Sequence, residues 1–266
     1  MDKIFNCTAY GRLGRCTKYS LYSSNLLAVL TCLVAMGYGF WVVARKRLFS
    51  ALFDPKLYVN VAFLLVIVGL LSILVALIGY YAASKELRCL MYSFSVTNLV
   101  LFLMLLIAGI MGFVFQAQLR NCALNLQMLT ALQNFYGQSN PSVTAAWDAI
   151  QEEFHCCGVE EQIDSSSFMV WRTSKWHMDQ REPRQLVPES CCVKNSNGDI
   201  VDLEACQSPD VRNANTSVIY GQGCYRKLEN DLIWTSTIAG ALGIAASASL
   251  LMPALFSALL ARLIQK

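Results

Sequence analysis

Four stretches of the chain contain no Asp, Glu, Lys or Arg: Leu21–Ala44 (24 residues), Leu57–Ser84 (28), Cys89–Leu119 (31) and Leu232–Ala261 (30). About 20 mainly apolar residues cross a bilayer as a helix, so each stretch is long enough. A helix on a soluble core shows one apolar stripe, whereas these are apolar all round, which favours membrane spans. Their excess length sets the spans inside the windows, at 21–44, 58–82, 91–115 and 232–260. Around them lie an N-terminal segment (1–20), a small loop (45–57), an inner loop (83–90), a large loop (116–231) and a short tail (261–266). The first window far exceeds the 7–15 residues of a signal-peptide core and no cleavage site follows it, so it is expected to stay as a span.

Inside the large loop the pattern changes. Phe115, Leu119, Cys122, Leu126, Leu129 and Phe135/Tyr136 recur at spacings of three and four, which predicts a helix continuing beyond the third span with one apolar face. Ser139-Asn140-Pro141 is a break, and Ser142 is placed to cap a second helix. That helix aligns Val143, Ala146, Trp147, Ile150 and Phe154. Leu228, Leu232 and Ile233 predict a third helix leading into the fourth span. The expected fold is therefore an all-α membrane protein: a four-helix bundle carrying a mainly helical large loop between spans three and four.

Composition narrows the function. Hydrophobic residues make up 55% and charged residues 15% of the chain, against about 25% charged in a soluble domain. The net charge of +3 is small and dispersed, which argues against nucleic acid. None of the four windows holds an Asp, Glu, Lys, Arg or His, the residues that pumps and carriers place at membrane depth, so a channel or transporter is disfavoured. Small residues recur instead at packing intervals: Ala239, Gly243 and Ser247; Ala108 and Gly112; Asn25, Cys32 and Gly39. Asn25 and Asn98, polar groups within the first and third spans, are expected to face the bundle or a lipid held within it. No metal site or cofactor is implied by a chain with two histidines. Catalysis lacks a vehicle too: there is no Cys-x-x-Cys pair, and His155 beside Cys156 is of no use if that cysteine is disulfide-bonded.

Basic residues orient the spans. Eight lie in the termini and inner loop, against Arg45, Lys46, Arg47 and Lys56 in the small loop, which sets both termini in the cytosol. The cysteines agree. Cys156, Cys157, Cys191, Cys192, Cys206 and Cys224 fall in the large loop, where disulfides require an oxidising compartment. Asn215-Thr216-Ser217 is a glycosylation sequon in the same loop. Trp41, Tyr58, Phe113, Phe115 and Trp234 fall near the outer ends of the spans, as interfacial aromatics do. On the inner side, Cys7, Cys16 and Cys89 lie near the membrane and are candidates for palmitoylation. Tyr10-Gly11-Arg12-Leu13 has the form of a tyrosine sorting signal, which would add an endosomal address to a plasma-membrane default.

The loop motifs are specific. Cys156-Cys157-Gly158, Pro188-Glu189-Ser190-Cys191-Cys192, Cys206 and Gly223-Cys224, in that order on this topology, resemble the tetraspanin family. Lys18-Tyr19-x-Leu21-Tyr22-x-x-Asn25 is similar to the family's entry to span one, and Gly79-Tyr80-Tyr81-Ala82-Ala83-x-Lys85-Glu86-x-x-Cys89 to its inner loop. The chain departs from the family in having Tyr80 and Tyr81 where cysteines are usual, and in having no acid in span four. The resemblance implies a disulfide between Cys156 and Cys224. It further implies that Cys157 joins Cys191 or Cys192 and that the other joins Cys206; the pairing adopted is Cys157–Cys192 with Cys191–Cys206. Each staple is worth about 2–4 kcal/mol to a segment too polar to bury much core. Cys122 is left over, either as a small buried residue or as an intermolecular thiol of the kind peripherin-type members use.

The resemblance also implies a non-enzymatic organiser at the cell surface. Such a protein clusters other integral membrane proteins (adhesion molecules, receptors or membrane proteases), other tetraspanins and membrane lipids, sterol among them. The alternative is a self-oligomerising, membrane-shaping protein of the peripherin type. The polar stretch 159–222 is where a partner would be read. There Phe168, Trp171 and Trp176 are candidates for partner contact, or else form the small core of that subdomain.

Overall fold

The computed structural model describes residues 11–46, 57–119, 123–138, 141–160, 167–207 and 217–264. Eight α-helices are described: α1 (Arg12–Lys46), α2 (Leu57–Lys85), α3 (Arg88–Leu119), α4 (Ala123–Phe135), α5 (Pro141–Phe154), α6 (Lys175–Met178), α7 (Leu203–Cys206) and α8 (Cys224–Leu263). Two 3-10 turns, Ser167–Thr173 and Glu189–Cys191, complete the set. The fold is all-α, with no strand among the described residues beyond two isolated bridges, Cys192 with Ile219 and Lys194 with Ile200. Helices α1, α2, α3 and α8 are each long and apolar enough to cross a membrane. The chain divides into two compact units, one from Met1–Ala44, Tyr58–Phe115 and Ser236–Lys266, the other from Arg45–Leu57 and Gln116–Thr235.

In the first unit the helices meet where glycine lets backbones approach. A Cβ on Gly39 of α1 would lie 2.9 Å from the Ala62 carbonyl oxygen of α2, and one on Gly69 of α2 would lie 2.8 Å from Met36 Cβ of α1. The Phe94 ring of α3 packs against Gly79 of α2, where a methyl group would sit 2.2 Å from it. Between α3 and α8 the seam is made by Gly109 and Gly112 against Gly240 and Gly243. The spacing is three residues on each helix. The interval of four expected from Ala108/Gly112 and Ala239/Gly243 captures only one glycine of each pair.

Side-chain hydroxyls and amides reinforce these seams. Asn25 Nδ2 donates to the Ala76 carbonyl at 3.0 Å, linking α1 to α2, whereas Asn98 Nδ2 turns back onto the Phe94 carbonyl of its own helix. Both asparagines are buried in the unit. Ser95 Oγ donates to Ala254 O and Ser257 Oγ to Met91 O, at 2.8 and 2.7 Å, tying α3 to α8. Without water in a bilayer such groups must find partners inside the protein.

At one end of this unit α2 stops in a left-handed cap. Glu86 adopts a left-handed conformation (φ 56°), and Leu87 N–H reaches the Ala82 carbonyl at 3.1 Å, the closure usually made with glycine. Lys18 Nζ of α1 pairs with Glu86 Oε1 at 3.2 Å.

The second unit departs from expectation in two local ways. Helix α5 starts at Pro141, one residue before Ser142, because proline's fixed φ and missing N–H suit a first helical position. In α4 the buried face is Met128, Ala131 and Leu132, continuing to Tyr136, so of the expected stripe Tyr136 lies on the core face while Leu126 and Phe135 do not. Leu126 is 67% and Phe135 49% exposed. A leucine-rich helix offers two apolar stripes, and the aromatic core described next selects the one that ends in Tyr136.

Candidate functional site

The large loop is built around tryptophan. On α5, Val143, Ala146, Trp147, Ile150 and Gln151 are buried. Trp171, from the first 3-10 turn, stands edge-on to Trp147, with ring centroids 6.1 Å apart, and edge-on to Tyr136 at 4.7 Å. Trp176 closes the cluster edge-on to both Tyr136 and Trp171, at 5.6 and 5.7 Å. Edge-to-face pairs of this kind add to the area they bury. Gly137, at φ 68°, ends α4 directly beneath Trp176, whose Cδ1 would lie 2.3 Å from any added Cβ.

Of the three aromatics expected either to meet a partner or to form the loop's small core, Phe168 and Trp171 are buried core residues, and Trp176 is half-buried against them. A loop this polar has few other apolar side chains, so its aromatics are drawn inward before any can be spared for a surface.

Three disulfides staple the unit: Cys156–Cys224, Cys157–Cys191 and Cys192–Cys206. The expected Cys157–Cys192 and Cys191–Cys206 pairs are corrected by this arrangement. Its cause is local. The 3-10 turn Glu189–Cys191 packs on α5 and carries Cys191 to Cys157 just past the end of that helix, with a Cα separation of 5.1 Å. Cys192 is extended and bridges to Ile219, so its side chain faces the other way, toward Cys206. The loops closed span 68, 34 and 14 residues. The chain-entropy account then assigns about 3 to 4 kcal/mol to each.

The motif glycines have steric reasons. Gly158 has φ 73°, and a Cβ there would sit 1.9 Å from the Ser167 carbonyl oxygen. Cys157 N–H bonds Gln222 O at 2.8 Å, while Cys224 N–H bonds Gly158 O and Tyr225 N–H bonds Val159 O. Gly223 lies so close under this pairing that an added Cβ would come within 2.5 Å of Val159 O.

A buried polar network joins the Pro-Glu-Ser-Cys-Cys motif to α5. Tyr136 Oη donates to Asp148 Oδ1 at 2.8 Å. Ser190 Oγ lies 2.8 Å from the same carboxylate oxygen and 2.7 Å from the Gln151 carboxamide oxygen. Ser190 has one proton, which goes to the carboxylate as the stronger acceptor. Turning the Gln151 amide over lets its Nε2, otherwise buried without a partner, donate to Ser190. Burial, and after it the Asp148 charge, raises the Tyr136 phenol well above its ordinary range. The role of Gln151 was legible in principle, because it lies four residues beyond Trp147 on the buried face. The turn that brings Ser190 to it has no such periodic signal.

Other expected positions divide plainly. Cys16 and Cys89 are free and exposed, and Cys32 is free and buried. Cys7, Cys122 and Asn215 lie outside the described residues, as does the turn Ser139-Asn140. No group of His, Cys, Asp and Glu suited to a metal ion occurs among the described residues.

Residues 17–263 match the model of the Tetraspanin family. The chain belongs to the tetraspanin family. Among its relatives, Tetraspanin-15 of Caenorhabditis elegans is 37% identical over 261 residues, covering 97% of this chain and 98% of the relative. CD151 antigen of Rattus norvegicus is 30% identical over 229 residues, covering 86% and 85%. Tetraspanin-9 of Salmo salar is 30% identical over 214 residues, covering 80% and 79%. The tetraspanin is accordingly a multi-pass membrane protein whose disulfides lie in the loop between its third and fourth spans.

Proposed function

We propose that this tetraspanin is a non-enzymatic membrane organiser: it binds other integral membrane proteins and other tetraspanins laterally and clusters them at the plasma membrane, with both termini in the cytosol. The observation that supports this best is the division of labour between its units. The spans are joined through glycine seams and carry no Asp, Glu, Lys, Arg or His in their charge-free windows. The large loop has its own aromatic core and disulfide frame, from which a surface can be presented. In this reading Asn215 carries glycan, Cys7, Cys16 and Cys89 carry acyl chains, and lipid fills the remaining gaps between spans. Sterol is the weaker lipid proposal, because Asn25 already donates to Ala76 O and span four offers no acid beside it.

The test is affinity purification of the full-length protein from cells, in mild and then stringent detergent, with co-purifying membrane proteins identified. The expected result is a distinct set that is lost when residues 159–222 are exchanged for another tetraspanin's segment. Recovery of self-oligomers alone would instead support the membrane-shaping alternative. One observation favours that second reading: Leu126 is two-thirds exposed on α4, one turn beyond Cys122 in sequence, as a contact between copies would require.

A further inference from the structure

Between Asn121 and Asp231 the chain has 15 acidic and 8 basic residues. Half of those bases, Arg172, Lys175, Arg181 and Arg184, fall within 13 consecutive residues that contain only two of the acids, Asp179 and Glu182. Both acids are already engaged. Asp179 Oδ2 accepts from Gln138 Nε2 at 3.1 Å, and Glu182 Oε1 lies 3.2 Å from Arg184 Nε. Arg172, Lys175 and Arg181 are exposed and make no ion pair with any carboxylate among the described residues. Met178, 55% exposed, lies between Lys175 and Arg181 in sequence.

The segment is held in shape. Ser174 Oγ accepts from His177 N–H at the start of α6, and Trp176 is fixed in the aromatic cluster. His177 Nδ1 lies 2.9 Å from Gln185 O, and Gln185 N–H bonds Gln180 Oε1 at 2.7 Å. A surface fixed before binding loses little entropy when a partner arrives.

We infer that Arg172, Lys175, Arg181 and Met178 form a docking surface for a carboxylate-rich segment in the extracellular part of a partner membrane protein. The proposal rests on the organiser reading and names the partner's chemistry. Charge complementarity carries it: three exposed cations with no carboxylate partner among the described residues stand in a loop that is otherwise strongly acidic, and steer an acidic segment to one place. Arginine and methionine are enriched in protein interfaces, where methionine supplies an adaptable apolar contact. A sulfated glycan is a poorer occupant, because a long polyanion would run from this small patch onto the surrounding acids.

The test uses the full-length protein on intact cells. A water-soluble carbodiimide, which joins amines to carboxylates only when they touch, is applied before purification, and linked peptides are identified. Lys175 is expected to be joined to an Asp or Glu of another membrane protein. Recovery of that protein should fall about tenfold or more in Arg172→Glu/Lys175→Glu/Arg181→Glu. It should be kept in Arg172→Lys/Lys175→Arg/Arg181→Lys, in Arg226→Glu elsewhere on the loop, and after heparinase treatment. The single change Lys175→Glu gives the same direction should the triple variant fail to reach the surface. Links from Lys194 or Lys227 but none from Lys175, unchanged recovery in the charge-reversed protein, or loss on heparinase treatment would each overturn the proposal. Unchanged recovery would leave the organiser reading standing. A wild-type protein that brings down no other membrane protein would remove both.

Discussion

The membrane helices and the large loop solve the same problem, holding helices together, with different chemistry. In the helical unit, glycines at 39, 69, 79, 109, 112, 240 and 243 bring backbones or rings within van der Waals contact, and single amides and hydroxyls bind neighbouring carbonyls. Lipid offers no hydrophobic force between helices, so close fit and internal hydrogen bonds must do this work. The loop has water around it and too few apolar residues for a large core. It relies on three covalent links and one cluster of four aromatic rings. Many weak contacts make the first unit tolerant of single changes; few strong ones make the second fragile at particular residues.

The strongest way to break the comparison is to cut the loop's frame. Cys156→Ser or Cys224→Ser removes the longest closure and is expected to cost about 2–5 kcal/mol. The variant should lose mature surface protein, read by surface biotinylation, with the span helices still inserted. Next is Trp171→Ala, which empties the middle of the aromatic cluster at a cost of about 3–5 kcal/mol. Thermal unfolding of the loop should shift down sharply while protease protection of the spans is unchanged. A concerted loss of both units would show that the division between them is not energetic.

The spans were legible because a bilayer imposes a length and a polarity that any charge-free window reveals. The loop's helices were legible for a weaker reason, the three-and-four spacing. In α4 that spacing found Tyr136, which is buried, but ran through Leu126 where the packed face begins at Met128; the tryptophans around Tyr136 decide between the two stripes. The cysteine order could be read, but not which neighbour of the Cys191-Cys192 pair faces Cys157. That choice belongs to a three-residue turn whose direction is fixed by Ser190 contacting Asp148 and Gln151 on another helix. The aromatic residues at 168 and 171 were visible as outliers in a polar stretch, yet only packing shows that they point inward.

Smaller effects sharpen the contrast on the membrane side. Gly240→Leu puts a branched side chain where even a Cβ would stand 3.0 Å from the Phe113 ring and 3.2 Å from Gly109 O. Overpacking of this kind costs about 1–3 kcal/mol. It should lower the detergent stability of the full-length protein while the three disulfides form normally on non-reducing gels. Asn25→Leu removes one interhelical hydrogen bond and is expected to cost about 1 kcal/mol by the same measurement.

The smallest expected effect lies inside the loop and depends on pH. Tyr136→Phe removes the hydrogen bond to Asp148, worth about 1 kcal/mol at neutral pH. The native phenol is held neutral by burial and by the Asp148 charge, whereas an unfolded chain releases that proton near pH 10, the ordinary tyrosine value. Above that pH the unfolded state binds fewer protons than the native state, so unfolding becomes easier as pH rises. The phenylalanine variant lacks this contribution. The two proteins should therefore differ most at neutral pH and converge as the solution becomes alkaline, in unfolding curves taken across that range. A gap that stays constant with pH would mean that Tyr136 ionises in the folded protein, and that its place between Asp148 and the tryptophans is more open to water than the packing of Trp171 and Trp176 around it allows.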